Sequence, residues 1–345
     1  ELRGLQWRWW VRSGVWAALK AESATARRVH VRTGPSSDTP LSPPPTLRLA
    51  FELNVAQAEV AELQIDDLAP LRVVQARGVQ IGGAEGSLHR VDHVAFDWDR
   101  LQASGHAQIG ADPPFALDAA LGLQASQGTP WNAELHARGP LAGFDLQATL
   151  RGEAKAGREP PALDAQVQVL PFAPWPLGTL DASTQALDLA ALSSRAPQTR
   201  LSGRTVVTSQ GMKSPIGAQV DIANALPGRW NEGRLPLRRV QLDLRADPTR
   251  RDRVEVPTFD LQFGDAGAAA GRWSGSGVWL GSTFTLDTRI AALRPQLLDG
   301  RAAAMTLSGP LALTIQGLPS PAAAQPGDAP ARPIEVSFRG ALDGS

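Results

Sequence analysis

Side chains able to do chemistry are present in this sequence, but their spacing does not assemble them. The five histidines, His30, His89, His93, His106 and His136, are scattered. His89 and His93, with Asp92 between them, have the spacing that would put two imidazoles on one face of a helix. Val91 to Trp98 instead alternates apolar and polar residues, the period of a strand, so these histidines read as solvent-facing. Gly271-Arg272-Trp273-Ser274-Gly275 spells G-x-S-x-G. That serine becomes a nucleophile only where a strand turns sharply into a helix, and no helical pattern follows. Gly264 to Gly271 and Gly275-Ser276-Gly277 likewise lack the strand–glycine–helix setting of a phosphate cradle. Asp66-Asp67 and the Asp97/Asp99 pair read as the wet face or rim of a sheet. Arg27-Arg28, Arg238-Arg239 and Arg250-Arg251 read the same way, with contact to anionic headgroups as the second reading. No catalytic residue, metal site or cofactor is expected, and the chain is not expected to be an enzyme.

The elements that carry these residues are easier to read. Trp131-Asn132-Ala133-Glu134-Leu135-His136-Ala137 alternates strictly, as do Phe144 to Leu150 and Leu163 to Val169. Side chains on a strand point to opposite faces in turn, so each run makes a ribbon with one apolar and one polar face. The pattern recurs at Leu47 to Val55, Val60 to Leu71, Val73 to Ile81, Val94 to Trp98, Leu101 to Ile109 and Phe115 to Leu123. It returns at Leu201 to Thr208, Ala218 to Ile222, Val240 to Leu244, Phe259 to Phe263 and Gly271 to Leu280, then at Phe284 to Ile290, Leu311 to Ile315 and Ile334 to Gly340. About twenty strands separated by turn residues predict an all-β chain of hairpins. At about 4.7 Å per strand such a sheet is roughly 95 Å wide, and sheets that wide curl, close or split.

The expected fold is a long, curled, mostly antiparallel sheet with a hydrophobic interior, a repeating β-groove over residues 1–318. Within it, 34–45 and 170–200 are expected to be irregular or loop-rich. Pro171, Pro174 and Pro176 exclude a central strand there, and Leu187 to Leu192 has apolar residues at helical spacing. Residues 319–333 form a low-complexity loop, and 334–345 continue the groove.

Composition narrows the function further. The 34 acidic and 34 basic residues cancel, against the basic surface that nucleic acid requires. The absence of cysteine is compatible with an oxidising compartment if the core is large. No run reaches the length of a membrane span, and no signal peptide is visible. The start at Glu1 reads as an excerpt of a longer protein.

What remains is architectural, because a long apolar face must be covered. It can fold on a second sheet, close into a barrel, or curl into a trough filled by something else. The inward set is mostly Leu, Val, Ile and Ala, a smooth lining suited to an acyl chain. The residues expected to line such a groove are Leu135, Leu146, Leu150, Val167, Val169, Leu242, Leu244, Leu261, Phe263, Leu313 and Ile315, with Trp7, Trp9 and Trp98 on the same face.

Several runs resemble the TamB-type translocation and assembly module subunits of Proteobacteria, within the AsmA-like, repeating β-groove lipid-transfer group. They are Leu5-Gln6-Trp7-Arg8-Trp9, Ala26 to Gly34, Pro171 to Gly178, Thr199 to Gly203 and Pro227 to Leu237, with Gly139-Pro140-Leu141 and Gly309-Pro310-Leu311 as repeat starts. The resemblance implies a periplasmic rod anchored in the inner membrane by an N-terminal helix outside this sequence. Its groove would conduct phospholipids toward the outer membrane, and its C-terminal end would pair with a TamA-type β-barrel. The expected function is therefore a lipid-conducting bridge supporting outer-membrane biogenesis. Weighed against it are a structural or adhesive β-solenoid, an assembly scaffold for outer-membrane proteins, and a carbohydrate-active β-helix enzyme. Four Asn and irregular strand spacing argue against the solenoid, and the enzyme lacks a carboxylate cluster.

Overall fold

A computed structural model describes residues 1–12, 15–32, 42–66, 68–126, 130–154, 159–173, 175–209, 216–247, 253–318 and 334–344. The 319–333 loop, Arg250-Arg251, Asp67 and residues 34–41 of the first proline-rich loop lie outside them.

Among the described residues one sheet holds 21 strands. They are β1 (Leu2–Arg3), β2 (Gln6–Arg12), β3 (Val15–Val31), β4 (Phe51–Ile65), β5 (Leu71–Gly82), β6 (Leu88–Trp98) and β7 (Leu101–Gly110). Next come β8 (Ala116–Ala125), β9 (Trp131–Pro140), β10 (Phe144–Gly152), β11 (Ala162–Val169), β12 (Leu177–Leu187), β13 (Leu201–Thr208) and β14 (Ile216–Asn224). The last are β15 (Leu237–Ala246), β16 (Arg253–Gly264), β17 (Ala269–Leu280), β18 (Thr283–Leu293), β19 (Leu307–Gln316), β20 (Glu335–Gly340) and β21 (Asp343–Gly344). Three single-turn α-helices, α1 (Gly83–Gly86), α2 (Leu189–Leu192) and α3 (Pro295–Leu298), and a 3-10 turn at Trp230–Glu232 interrupt them. The expected all-β, curled, mostly antiparallel sheet is what forms, and it does not close.

From β4 to β19 each strand pairs antiparallel with the next in the chain. The exception is β3, which pairs β4 in parallel from Ala17 to Val31. A parallel joint obliges the chain to cross back from one end of the strands to the other. The end of that crossing, residues 46–50, is pinned to two turns. Leu47 donates to the Ala111 carbonyl at 2.7 Å, and Arg48 grips Asp112 through two bonds of 2.7 and 2.6 Å. His89 Nδ1 accepts from the Gly82 amide at 3.1 Å, so Nε2 carries the hydrogen and donates to the Leu47 carbonyl at 2.9 Å. Both ring nitrogens are thus spent on backbone, which gives this histidine a structural post. The expected strand from Leu47 therefore starts only at Phe51. The expected strand Val60–Leu71 is split: β4 ends at Ile65 and β5 begins at Leu71.

The curl is measured by contacts between distant turns. Strands β7 and β12 are five spacings apart, about 24 Å on a flat sheet. Yet Ser194, just before β13, donates from its amide and hydroxyl to Asp99, just before β7, at 3.1 and 3.0 Å. The strands between have rolled together around α2. Here lies the densest core, where Leu101, Trp131, Ala133, Leu150 and Leu187 meet Leu189, Ala191 and Leu192.

Candidate functional site

Residues directly opposite each other in a ladder put their side chains on the same side of the sheet, so the pairings can be read as rows. One row runs Ala137, Leu146, Val167, Leu180, Val207, Ala218, Leu244. A second runs Leu121, Leu135, Ala148, Ala165, Ala182, Thr205, Val220, Leu242, Phe259, Gly275, Thr288, Leu311. A third contains Ala133, Leu150, Leu163, Thr184, Gly203, Ile222, Val240, Leu261, Trp273, Ile290. Val169 lies opposite Phe144, Phe263 opposite Leu237, Leu313 opposite Leu286 and Ile315 opposite Phe284. All eleven residues expected to line a groove therefore share one face. Trp7, Trp9 and Trp98 join it, opposite Leu19, Ala17 and Leu101.

That face is only half covered. Leu135, Leu146, Val167, Val169, Leu242, Leu244, Leu261, Phe263, Leu313 and Ile315 are all half-buried, and no second sheet lies over them among the described residues. Leu150 differs: at 6% exposure it lies beneath α2. Sequence reading missed that distinction because it turns on a contact between distant turns. It also missed the edge-to-face pair of Phe259 and Trp273, with ring centroids 5.6 Å apart. Trp273 Nε1 is buried without a partner.

The opposite face is a row of polar groups: Glu134, Thr149, Asp164, Ser183, Arg204, Asp221, Gln241, Asp260, Ser274, Arg289. Cross-strand ion pairs recur along this face. They are Asp118–Arg138, Arg151–Asp164 at 2.6 Å, Asp181–Arg204, Asp221–Arg239 at 2.7 Å and Asp260–Arg272. Hydrogen bonds from Arg204 and Arg239 hold the carboxyls of Asp181 and Asp221 below their ordinary range. An open depression of about 720 Å³ lies here, bordered by Arg204, Asp221, Asp243, Asp260 and Arg272. Arg204, Asp221, Asp260 and Arg272 are ion-paired within the sheet, Asp243 accepts from the Thr258 hydroxyl at 3.1 Å, and Asp260 Oδ1 is buried without a partner. Ser274 sits in β17 with more strand after it, so its G-x-S-x-G surroundings form no nucleophile turn. No group of three or more metal-binding side chains occurs among the described residues. No helix there is long and apolar enough to cross a membrane.

No family model, curated protein or solved structure matches the chain. The apolar face is therefore the feature from which function has to be argued.

Proposed function

We propose that the chain is a non-catalytic groove that binds phospholipid acyl chains and passes them along its sheet, with headgroups at the open edge. The observation that carries this reading is the mostly apolar row from Leu121 in β8 to Leu311 in β19, interrupted only by Thr205, Gly275 and Thr288 and half covered over most of its length. Eleven strand spacings make that row about 53 Å long, more than the roughly 30 Å of a bilayer's hydrocarbon core. Burial of each methylene is worth about 0.8 kcal/mol. Neighbouring positions resemble one another, so a bound tail can slide without leaving a deep well.

The likeness of the local runs to TamB-type subunits extends the proposal. The groove would stand in the periplasm, in a protein anchored in the inner membrane, and carry phospholipid toward the outer membrane in support of its biogenesis. A TamA-type barrel would be contacted by parts outside this sequence. An antiparallel meander supports this reading over a solenoid, whose coils stack in parallel. An assembly scaffold for outer-membrane proteins would use the same sheet, and the lipid content separates the two.

The test is native mass spectrometry with lipid extraction on detergent-free protein. Co-purifying phospholipid, lost in Val167→Glu and Leu244→Glu while the β signal persists, is the expected result. A clean apo mass with a stable β fold would overturn the proposal.

A further inference from the structure

The connection between β12 and β13 is a strap that lies on the apolar face and packs against its core cluster. Its two feet are fixed. Asp188 accepts from the Ala190 amide at 3.1 Å and the Thr199 amide at 3.0 Å. Thr199, 2% exposed, donates its hydroxyl to the Leu187 carbonyl and accepts from the Leu189 amide at 2.9 Å. Between these feet the segment reaches over the strand ends. The Trp131 indole donates to the Ala191 carbonyl at 3.1 Å and Arg100 donates to the Ala190 carbonyl at 3.2 Å. Beyond α2, Ser194 is held by Asp99 as described above.

The body of this strap is one helical turn, Leu189-Ala190-Ala191-Leu192. A single turn does not hold itself together in water, so it persists only through what it touches. It touches the apolar face, where Leu189, Ala191 and Leu192 pack against the cluster of Leu101, Trp131, Leu150 and Leu187. Beside it a cleft of about 130 Å³, open to solvent, is lined by Trp131, Leu150, Leu187 and Leu192. Its latch to Asp99 is exposed at the rim, whereas its foot at Thr199 is buried. Lifting the strap would uncover Leu101, Trp131, Leu150 and Leu187 and break the bonds from Trp131 and Arg100, a local cost that an incoming acyl chain would offset by taking the same apolar contacts.

We infer that residues 188–199 are a gate: the strap sits in the trough as a built-in substitute for a lipid tail, and lifts when a tail arrives. This rests on the acyl-chain reading of the face and adds its regulation. It divides the trough into a gated stretch, from β7 to β13, and a bare stretch, from β14 to β19.

The absence of cysteine makes the test direct. In the full chain, the double variant Asp99→Cys, Ser194→Cys is cross-linked with a short, reducible bis-methanethiosulfonate, closure being checked by mass. The probe is phosphatidylethanolamine with a photoactivatable tail in phosphatidylethanolamine–phosphatidylglycerol vesicles, and the readout is lipid extracted into the gated stretch, counted as photo-adducts on β9 to β12 apart from those on β14 to β19. The parent and the reduced variant should extract it, with at least a fivefold loss on cross-linking that reduction restores. Equal extraction by cross-linked and reduced protein overturns the gate and leaves the trough standing. Extraction by neither form nor the parent overturns the trough, and the gate with it. Amide hydrogen exchange on the parent gives the second readout. Residues 189–196 should exchange faster with vesicles than without, and unchanged exchange in a parent that extracts lipid also overturns the gate.

Discussion

Two leucines on one strand should respond very differently to the same truncation. Leu146 and Leu150 are four residues apart on β10 and point to the same face. Leu150 is 6% exposed and packed among Leu101, Trp131, Leu187 and the strap. Truncating a leucine in a filled core costs about 3 kcal/mol or more, because a cavity is left as well as transfer energy lost. Leu146 is half-buried, between Ala137 and Val167 in its row, with no layer above it among the described residues. Water can fill the space that Leu146→Ala leaves. Only about half of a leucine's burial energy is at stake, or about 1 kcal/mol. The assay is denaturant unfolding followed by far-ultraviolet circular dichroism, comparing midpoints at a shared slope. Leu150→Ala should be the costlier by about 2 kcal/mol. Equal costs would refute the reasoning, since they would mean that the apolar face is covered along its whole length.

Thr199→Val keeps the shape but leaves the Leu189 amide without its acceptor. A loss of about 1–3 kcal/mol is expected, and an unchanged midpoint would show that the strap's foot is not held there. At Gly82, φ is +70° and an added Cβ would lie 2.4 Å from the Phe51 carbonyl oxygen. Gly82→Ala should therefore cost about 2 kcal/mol in the same assay, and a neutral result would refute the tight approach of Phe51, the first residue of β4, to Gly82. Acid should weaken the fold. The carboxyls of Asp99, Asp112, Asp181 and Asp221 lie below their ordinary range, held chiefly by hydrogen bonds from Ser194, Arg48, Arg204 and Arg239 respectively, and Arg301 draws Asp299 down to about 2. A depressed folded value means stability that is present above the unfolded value, near about 4, and lost as pH falls through the folded one. The midpoint should be level from about pH 7 to 5 and drop between about 4 and 2; a midpoint that rises on acidification would refute the assignment.

How much the sequence reveals depends on how sharply its residues contrast. Strands β9, β10 and β11 lie where Trp131 to Val169 alternates strictly, because Leu, Val and Trp trade places with Asp, Gln, Arg and Glu. Strand β3 is hidden because Ser23-Ala24-Thr25-Ala26 offers small residues on both faces, and its parallel partner leaves no local mark at all. Strand β12 is hidden for the same reason: Asp181-Ala182-Ser183-Thr184 is weakly patterned, inside a region expected to be loop-rich. Leu47 and Leu49 alternate as well as any strand, yet residues 46–50 serve the crossing. The helical spacing at Leu187 to Leu192 is legible, and α2 forms there. Where it packs is not, because Asp99 is ninety-five residues away from Ser194 and only the curl unites them. The apolar face itself follows from period alone, so all eleven expected residues fall on one side.

A sheet of this kind has an unsolved problem at every strand. Each strand adds apolar side chains to the same face, and that face grows with the number of strands, while among the described residues α2 is the helix packed on the clustered core. Curling brings the side chains nearer one another but cannot dry the face. The surface left over is too regular to be a packing error, since its rows continue through bulges between Thr184 and Leu187, Asp243 and Arg245, and Ile290 and Leu293. A register slip of one residue would turn the lining outward. The cross-strand Arg–Asp pairs on the far face resist that slip without touching the near one. Holding a bare face in register across a dozen strands is a cost that a self-contained core would not incur. On the proposed reading the guest repays it, and the strap marks where the chain takes the guest's place.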